Sequence, residues 1–392
     1  MNIVKIPNVI ALTAMVAAIV GCDNHPVKPF EKRSAEICDY AAEKPQKVKV
    51  YVDASGSMKG YFNLGSDGRF IGAISNANAD ETVWMNQNLT PICHPLNIDV
   101  LNADYKGPDS RFDLMIHRIA NDLKIDSSQS LGLLYTDGII SSSKTETDKD
   151  PNHTLKSREE LRNAIAHELE NDSLAIAFFK LESRFDGTYN DYTNKKIPNL
   201  KVQDRPFYVM ATGKAPQVRY FVKHNNLNAK LYETFGLYDS LRIDTTANYL
   251  LSIDQKKWEF MLSLPEYIND LGEEYIKKNF QVELNNQDVT EFASLKQIDK
   301  QLILTLTTYS KNNSEAPIIK PKGNTLHLCI IKKDVEEFAN LNCNDDRKIA
   351  ENDTIQKQTF MLTTLIDGIK MGTGENGELV MFRASITFDK QK

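Results

Sequence analysis

No block of lysine or arginine occurs anywhere in this chain, and its formal net charge is −6. Without a basic footprint, nucleic acid is not expected as a partner. Cys-x-x-Cys and His-Glu-x-x-His are both missing, so neither structural nor hydrolytic zinc is indicated. Ser55 has no Gly-x-Ser-x-Gly elbow around it, and Ser57-Met58-Lys59 is too short for a Ser-x-x-Lys dyad. The histidines are scattered: His117 falls in a helical pattern and His327 in a strand pattern, so acid–base catalysis is not signalled. No fixed-period repeat is present, which excludes a solenoid. The apolar run Val9 to Val20 is too short to span a bilayer as a stable helix.

That run is informative in another way. Lys5 precedes it and Gly21-Cys22 closes it, which describes a secretory leader. Ile19-Val20-Gly21-Cys22 resembles the bacterial lipobox, in which the cysteine is lipidated and becomes the mature N-terminus. Residues 1–21 are therefore read as a lipoprotein signal peptide. Residues 22–46, with Pro26, Pro29 and Pro45, read as a lipidated tether. The expected location is the bacterial cell envelope, anchored by lipid to a membrane. Asp23 resembles the signal that keeps lipoproteins in the inner membrane, facing the periplasm; the outer membrane remains open. Once Cys22 is set aside, Cys38, Cys93, Cys329 and Cys343 form an even set in an exported chain. Three pairings are open; Cys38–Cys93 with Cys329–Cys343 keeps each bridge inside one domain.

A chain of 392 residues is too long for one ordinary core. From Val48 to about residue 235, buried apolar strands alternate with helices. Strand patterns are Val48–Asp53, Asn97–Leu101, Leu131–Thr136, Leu174–Phe179 and Phe207–Ala211. Helical patterns are Arg111–Lys124, with Phe112, Met115, Ile116, Ile119 and Leu123 on one stripe, and Ser157–Glu170, with Ser157 as its cap. This is the pattern of an α/β fold with a doubly wound, mostly parallel sheet covered on both faces. Residues 236–392 change character. Gln301–Thr307, Thr325–Ile331, Thr359–Leu362 and the alternating run from Val380 to Phe388 read as strands, after a helical stretch over Lys257–Lys278. A C-terminal, mainly antiparallel, sandwich-like β domain is the expectation.

The residues that carry chemistry sit where the first strand ends. Val50-Tyr51-Val52-Asp53-Ala54-Ser55-Gly56-Ser57 delivers one carboxylate and two hydroxyls side by side, a donor set suited to a hard cation such as Mg2+. About eighty residues on, Leu131 to Thr136 ends in Asp137-Gly138. Asp-x-Ser-Gly-Ser-Met followed by Thr-Asp-Gly at this distance resembles the von Willebrand factor type A domain and its metal-ion-dependent adhesion site. The resemblance covers residues 47–235. It implies a Rossmann-like sheet with Mg2+ (or Mn2+) held directly by Ser55, Ser57 and a third hydroxyl, while Asp53 and Asp137 mainly hold bound waters. Ser110, in Gly107-Pro108-Asp109-Ser110, stands for the family's threonine; Asp109 is the alternative ligand.

The same resemblance implies a function. A protein partner offers an Asp or Glu carboxylate that completes the metal's coordination, and this contact is the binding event rather than a reaction. Two other readings stand beside it: a metal-dependent, phosphatase-like hydrolase, and a scaffold whose C-terminal β domain is the recognition module.

Overall fold

A computed structural model describes residues 42–85, 89–105, 112–126, 129–139, 151–172, 174–191, 195–229, 231–237, 249–254, 257–262, 280–298, 301–307, 325–333, 336–373 and 379–387. The chain folds as two compact units. One comprises residues 39–239 together with 334–378, and the other comprises 240–333 with 379–392.

The first unit is built on a seven-stranded sheet. Its elements run β1 (Lys47–Asp53), a 3-10 turn (Gly56–Tyr61), α1 (Arg69–Ser75), β2 (Glu81–Met85), β3 (Thr90–Pro91), α2 (Ile98–Asp104), α3 (Phe112–Asp126) and β4 (Ser130–Thr136). Then come α4 (Pro151–Asp172), β5 (Ala175–Asn190), β6 (Lys196–Gly213), α5 (Ala215–His224) and β7 (Leu231–Phe235). The strand order is β3-β2-β1-β4-β6-β5-β7. Its centre, β2-β1-β4, is parallel. The flanking pairings β2–β3, β4–β6, β6–β5 and β5–β7 are antiparallel.

Continuous apolar strands are explained by cover on both faces. Tyr51, Leu134, Ile176, Phe178 and Met210 pack with the predicted stripe of α3 and with Ile165 and Leu169 of α4. On the opposite face Tyr135 Oη donates to the Ala73 carbonyl of α1 (2.9 Å), and Phe179 meets Phe221 of α5 edge-on. Each fully buried Leu or Phe contributes about 1.5–3 kcal/mol of transfer free energy, so the sheet supplies its own core.

Several expectations are corrected. Asn97–Leu101 is not a strand: Asn97 caps helix α2, its side chain accepting the Val100 N–H at 2.7 Å. A short apolar run carries no period of its own, and the asparagine cap decides it. Ser157 does not cap α4, which already begins at Pro151, a residue suited to the first helical turn. The runs 174–179 and 207–211 are the inner halves of two long strands joined as a hairpin. β6 therefore lies between β4 and β5, and the crossover through α4 skips one strand position. Beyond the sheet, residues 181–190 and 196–206 continue as a two-stranded ribbon bulged near Ser183–Phe185 and Gly187–Tyr189. The ribbon lies on the 3-10 turn so closely that a Cβ on Gly60 would sit 2.2 Å from the Phe185 ring.

The expected boundary near residue 235 marks only the first crossing between units, because the chain returns. After 334 it forms α6 (Glu336–Asn340), the short strands β15 (Asn342–Cys343) and β16 (Thr359–Phe360), α7 (Asp353–Gln356) and α8 (Leu362–Gly372). Thr359–Leu362 is thus a two-residue strand leading into a helix. Phe338, Phe360, Leu362, Leu365 and Ile369 join the core made by α3 and α4. α8 approaches α4 through glycine: a Cβ on Gly372 would fall 2.6 Å from the Ala166 carbonyl oxygen.

The other unit contains β8 (Tyr249–Asp254), β9 (Lys257–Leu262), β10 (Phe280–Leu284), β11 (Gln287–Asp288), β12 (Ala293–Ile298), β13 (Gln301–Thr307), β14 (Thr325–Lys332) and β17 (Leu379–Thr387). They form two four-stranded sheets, β11-β10-β14-β17 and β12-β13-β9-β8, with antiparallel pairing throughout. Lys257–Leu262 is therefore strand where a helix was expected. The remainder of that stretch, 263–279, lies outside the described residues.

No disulfide joins Cys93, Cys329 or Cys343. Cys329 is on β14 and Cys343 on β15, in different units, so the assumption that they share a domain fails. Cys38 and the leader with Cys22 lie outside the described residues. Among the described residues no helix is long and apolar enough to cross a membrane.

Candidate metal centre

Parallel pairing of β1 and β4 sets Val52 opposite Tyr135. Asp53 therefore comes level with Thr136, and Asp137 follows one residue on, at the carboxyl edge where open α/β sheets bind ligands. Asp53 organises its own turn. Its Oδ1 accepts the Ser55 N–H at 2.7 Å, and the 3-10 turn opens with Met58 N–H donating to the Ser55 carbonyl at 3.1 Å. Asp53 Oδ2 accepts the Thr136 hydroxyl at 2.7 Å. Asp137 accepts the Ser57 hydroxyl through Oδ2 and the Ile139 N–H through Oδ1 at 3.1 Å. Ser55 Oγ and Ser57 Oγ are 3.4 Å apart. Gly138 turns the chain away in the left-handed region at φ 69°, with the Tyr208 ring where a Cβ would be.

Asp53, Ser55, Ser57 and Asp137 are thus brought together, as the sequence predicts. Ser110 and its alternative Asp109 lie outside the described residues. Thr136, quoted in the motif only as its leading residue, proves to be the hydroxyl that holds Asp53. Arg205 had no local signal at all, being one arginine in a polar stretch of strand. It is nevertheless 1% exposed, stacked at 4.7 Å over Tyr189 and donating to the Gln356 carbonyl at 2.9 Å.

The electrostatics follow from burial. Asp53 and Asp137 are each 1% exposed. Desolvation first, then the Asp53 charge, push Asp137 up to about 7, against the pull of the Ser57 hydroxyl, the Ile139 N–H and Arg205. Tyr61, within electrostatic reach of Asp137, is raised well above its usual range by burial, Arg205 opposing. The pair is therefore short of positive charge.

The donor chemistry fits a divalent cation. The hydroxyl protons of Ser57 and Thr136 are given to carboxylates, so the oxygen lone pairs remain for a metal. Neighbouring ligands on octahedral Mg2+ lie roughly 3 Å apart, so the two serine oxygens need to close by only a few tenths of an ångström. Among the described residues no group of three or more His, Cys, Asp or Glu side chains could hold a metal, so the set rests on two carboxylates plus hydroxyls. No family model, no curated protein and no solved structure matches this chain. The functional reading rests on the site itself.

Proposed function

We propose that this chain is a membrane-anchored lipoprotein of the von Willebrand factor A type that binds a protein partner through a divalent-metal adhesion site. The observation that carries the reading is the buried Asp53–Asp137 pair with the Ser55 and Ser57 hydroxyls beside it. Two carboxylates placed out of water, with one buried arginine nearby, make an environment that a divalent ion relieves. Ser55, Ser57 and, from its place in the sequence, Ser110 would hold Mg2+ or Mn2+, with Asp53 and Asp137 orienting its surroundings. When bound, the ion supplies a Lewis-acidic position for an Asp or Glu carboxylate of the partner.

The last described residues before β1 join the sheet at the end away from the site. Glu43 N–H donates to the Pro216 carbonyl and Gln46 N–H to the Gln129 carbonyl, at the edge of the sheet opposite Asp53. The length of β1, about 23 Å at about 3.3 Å per residue, separates the two edges.

Calorimetry with Mg2+ tests the reading. Wild type is expected to bind, and Asp53→Ala to lose binding while keeping its far-ultraviolet circular dichroism. Equal binding by the two proteins would refute the adhesion site. Phosphate release from p-nitrophenyl phosphate that depends on Asp53 would replace adhesion by the hydrolase.

A further inference from the structure

A cavity lies on the α1 face of the same sheet. One face of α1 presents Arg69, Gly72, Ala73 and Asn76, at the spacing of a single helical stripe. Opposite them, Lys180 to Glu182 of β5 and the loop 226–229 close a cavity of about 570 Å3. That is the size of a small-molecule pocket. Gly72 borders open space: a Cβ built there meets nothing within 4 Å. Its N–H and carbonyl are both in helical bonds, to Gly68 and from Asn76, so the backbone does not call for glycine at this position. Glycine weakens a helix relative to alanine, and here it leaves space rather than relieving a clash.

We propose that this cleft binds an apolar side chain carried on an amide backbone, as in a peptide segment with a leucine-like anchor. Charge argues against an ionic ligand. Arg69 is already paired with Asp67 and Asp204, and Lys180 with Glu182, so neither cation offers an uncompensated charge. The apolar lining favours an alkyl side chain over a sugar. Ala73, Leu181, Phe207 and Leu231 offer hydroxyls no hydrogen bond where they line the cleft. The rim argues for amides. Asn76, Asn226 and Asn228 each donate and accept, matching the N–H and C=O of a peptide unit. The cleft is independent of the metal reading.

The test is saturation-transfer NMR on the full-length chain with N-acetyl-L-leucinamide, N-acetylglycinamide and glucose as probes. N-acetyl-L-leucinamide is expected to bind with a dissociation constant on the order of 1 mM, as suits so small a ligand. Gly72→Phe fills the cavity and should weaken it about tenfold or more, whereas Gly72→Ala should keep most of the signal. Asn226→Ala, which removes a rim amide at a position free of left-handed backbone, should also weaken it, and covers the case in which Gly72→Phe fails to fold. Equal signals in wild type and both Gly72→Phe and Asn226→Ala would overturn the proposal. So would a stronger response to glucose or to the glycine amide than to the leucine amide.

Discussion

Asp137→Asn removes one of two buried carboxylates and should change how the stability of the metal-free protein depends on pH. In the folded chain Asp137 is raised from 3.8 to about 7, by burial first and then by Asp53 on β1. Ser57, the Ile139 N–H and Arg205 of β6 oppose that rise, and neutral Tyr61 lies within electrostatic reach. Between those two pH values the folded state holds a proton that the unfolded chain has released. Stability therefore falls as pH rises through this window, is fully present below the lower value, and levels off above the upper one. At about 1.36 kcal/mol per pK unit the gap corresponds to on the order of 4 kcal/mol. For a unit of this size that is roughly 8–16 °C in melting temperature. Thermal melts in EDTA from pH 4 to pH 8 should show the fall in wild type and a much flatter profile in Asp137→Asn. Mg2+ should restore wild type at pH 8 and leave the variant unchanged. Identical slopes in the two proteins would refute the assignment of a proton to this pair.

Three further outcomes can be checked directly. Leu365→Ala should destabilise the first unit by about 2–5 kcal/mol, because Leu365 is fully buried in the core with α3 and α4; denaturant unfolding measures it, and no effect would detach α8 from that core. Gly372→Ala should cost about 1–3 kcal/mol through overpacking, since its Cβ meets the Ala166 backbone oxygen at 2.6 Å. Cys22→Ser should release the chain from the membrane fraction, and an N-terminus still at Met1 in the wild-type mass spectrum would rule out lipidation.

Much of the site is written in local sequence, because its geometry is local. An apolar strand, an Asp-x-Ser-x-Ser turn and a second strand ending in Thr-Asp-Gly need only one parallel pairing to bring Asp53, Ser55, Ser57 and Asp137 together. The stripe on α3 was legible for the same reason, since a helix buries residues at its own period. Three things were not local, and only tertiary structure decided them. The hairpin that inserts β6 between β4 and β5 depends on strand pairing over distances that carry no pattern. The return of residues 334–378 depends on α4 offering Ile165 and Leu169 for cover, and on glycines in α8 that let it approach. Arg205 reads as one more surface charge until the ribbon folds it over the Tyr189 ring and within electrostatic reach of Asp137. Periodicity in the sequence determines which face of an element is apolar; which partner covers that face is settled by long-range packing, and here that packing also places the site's buried countercharge.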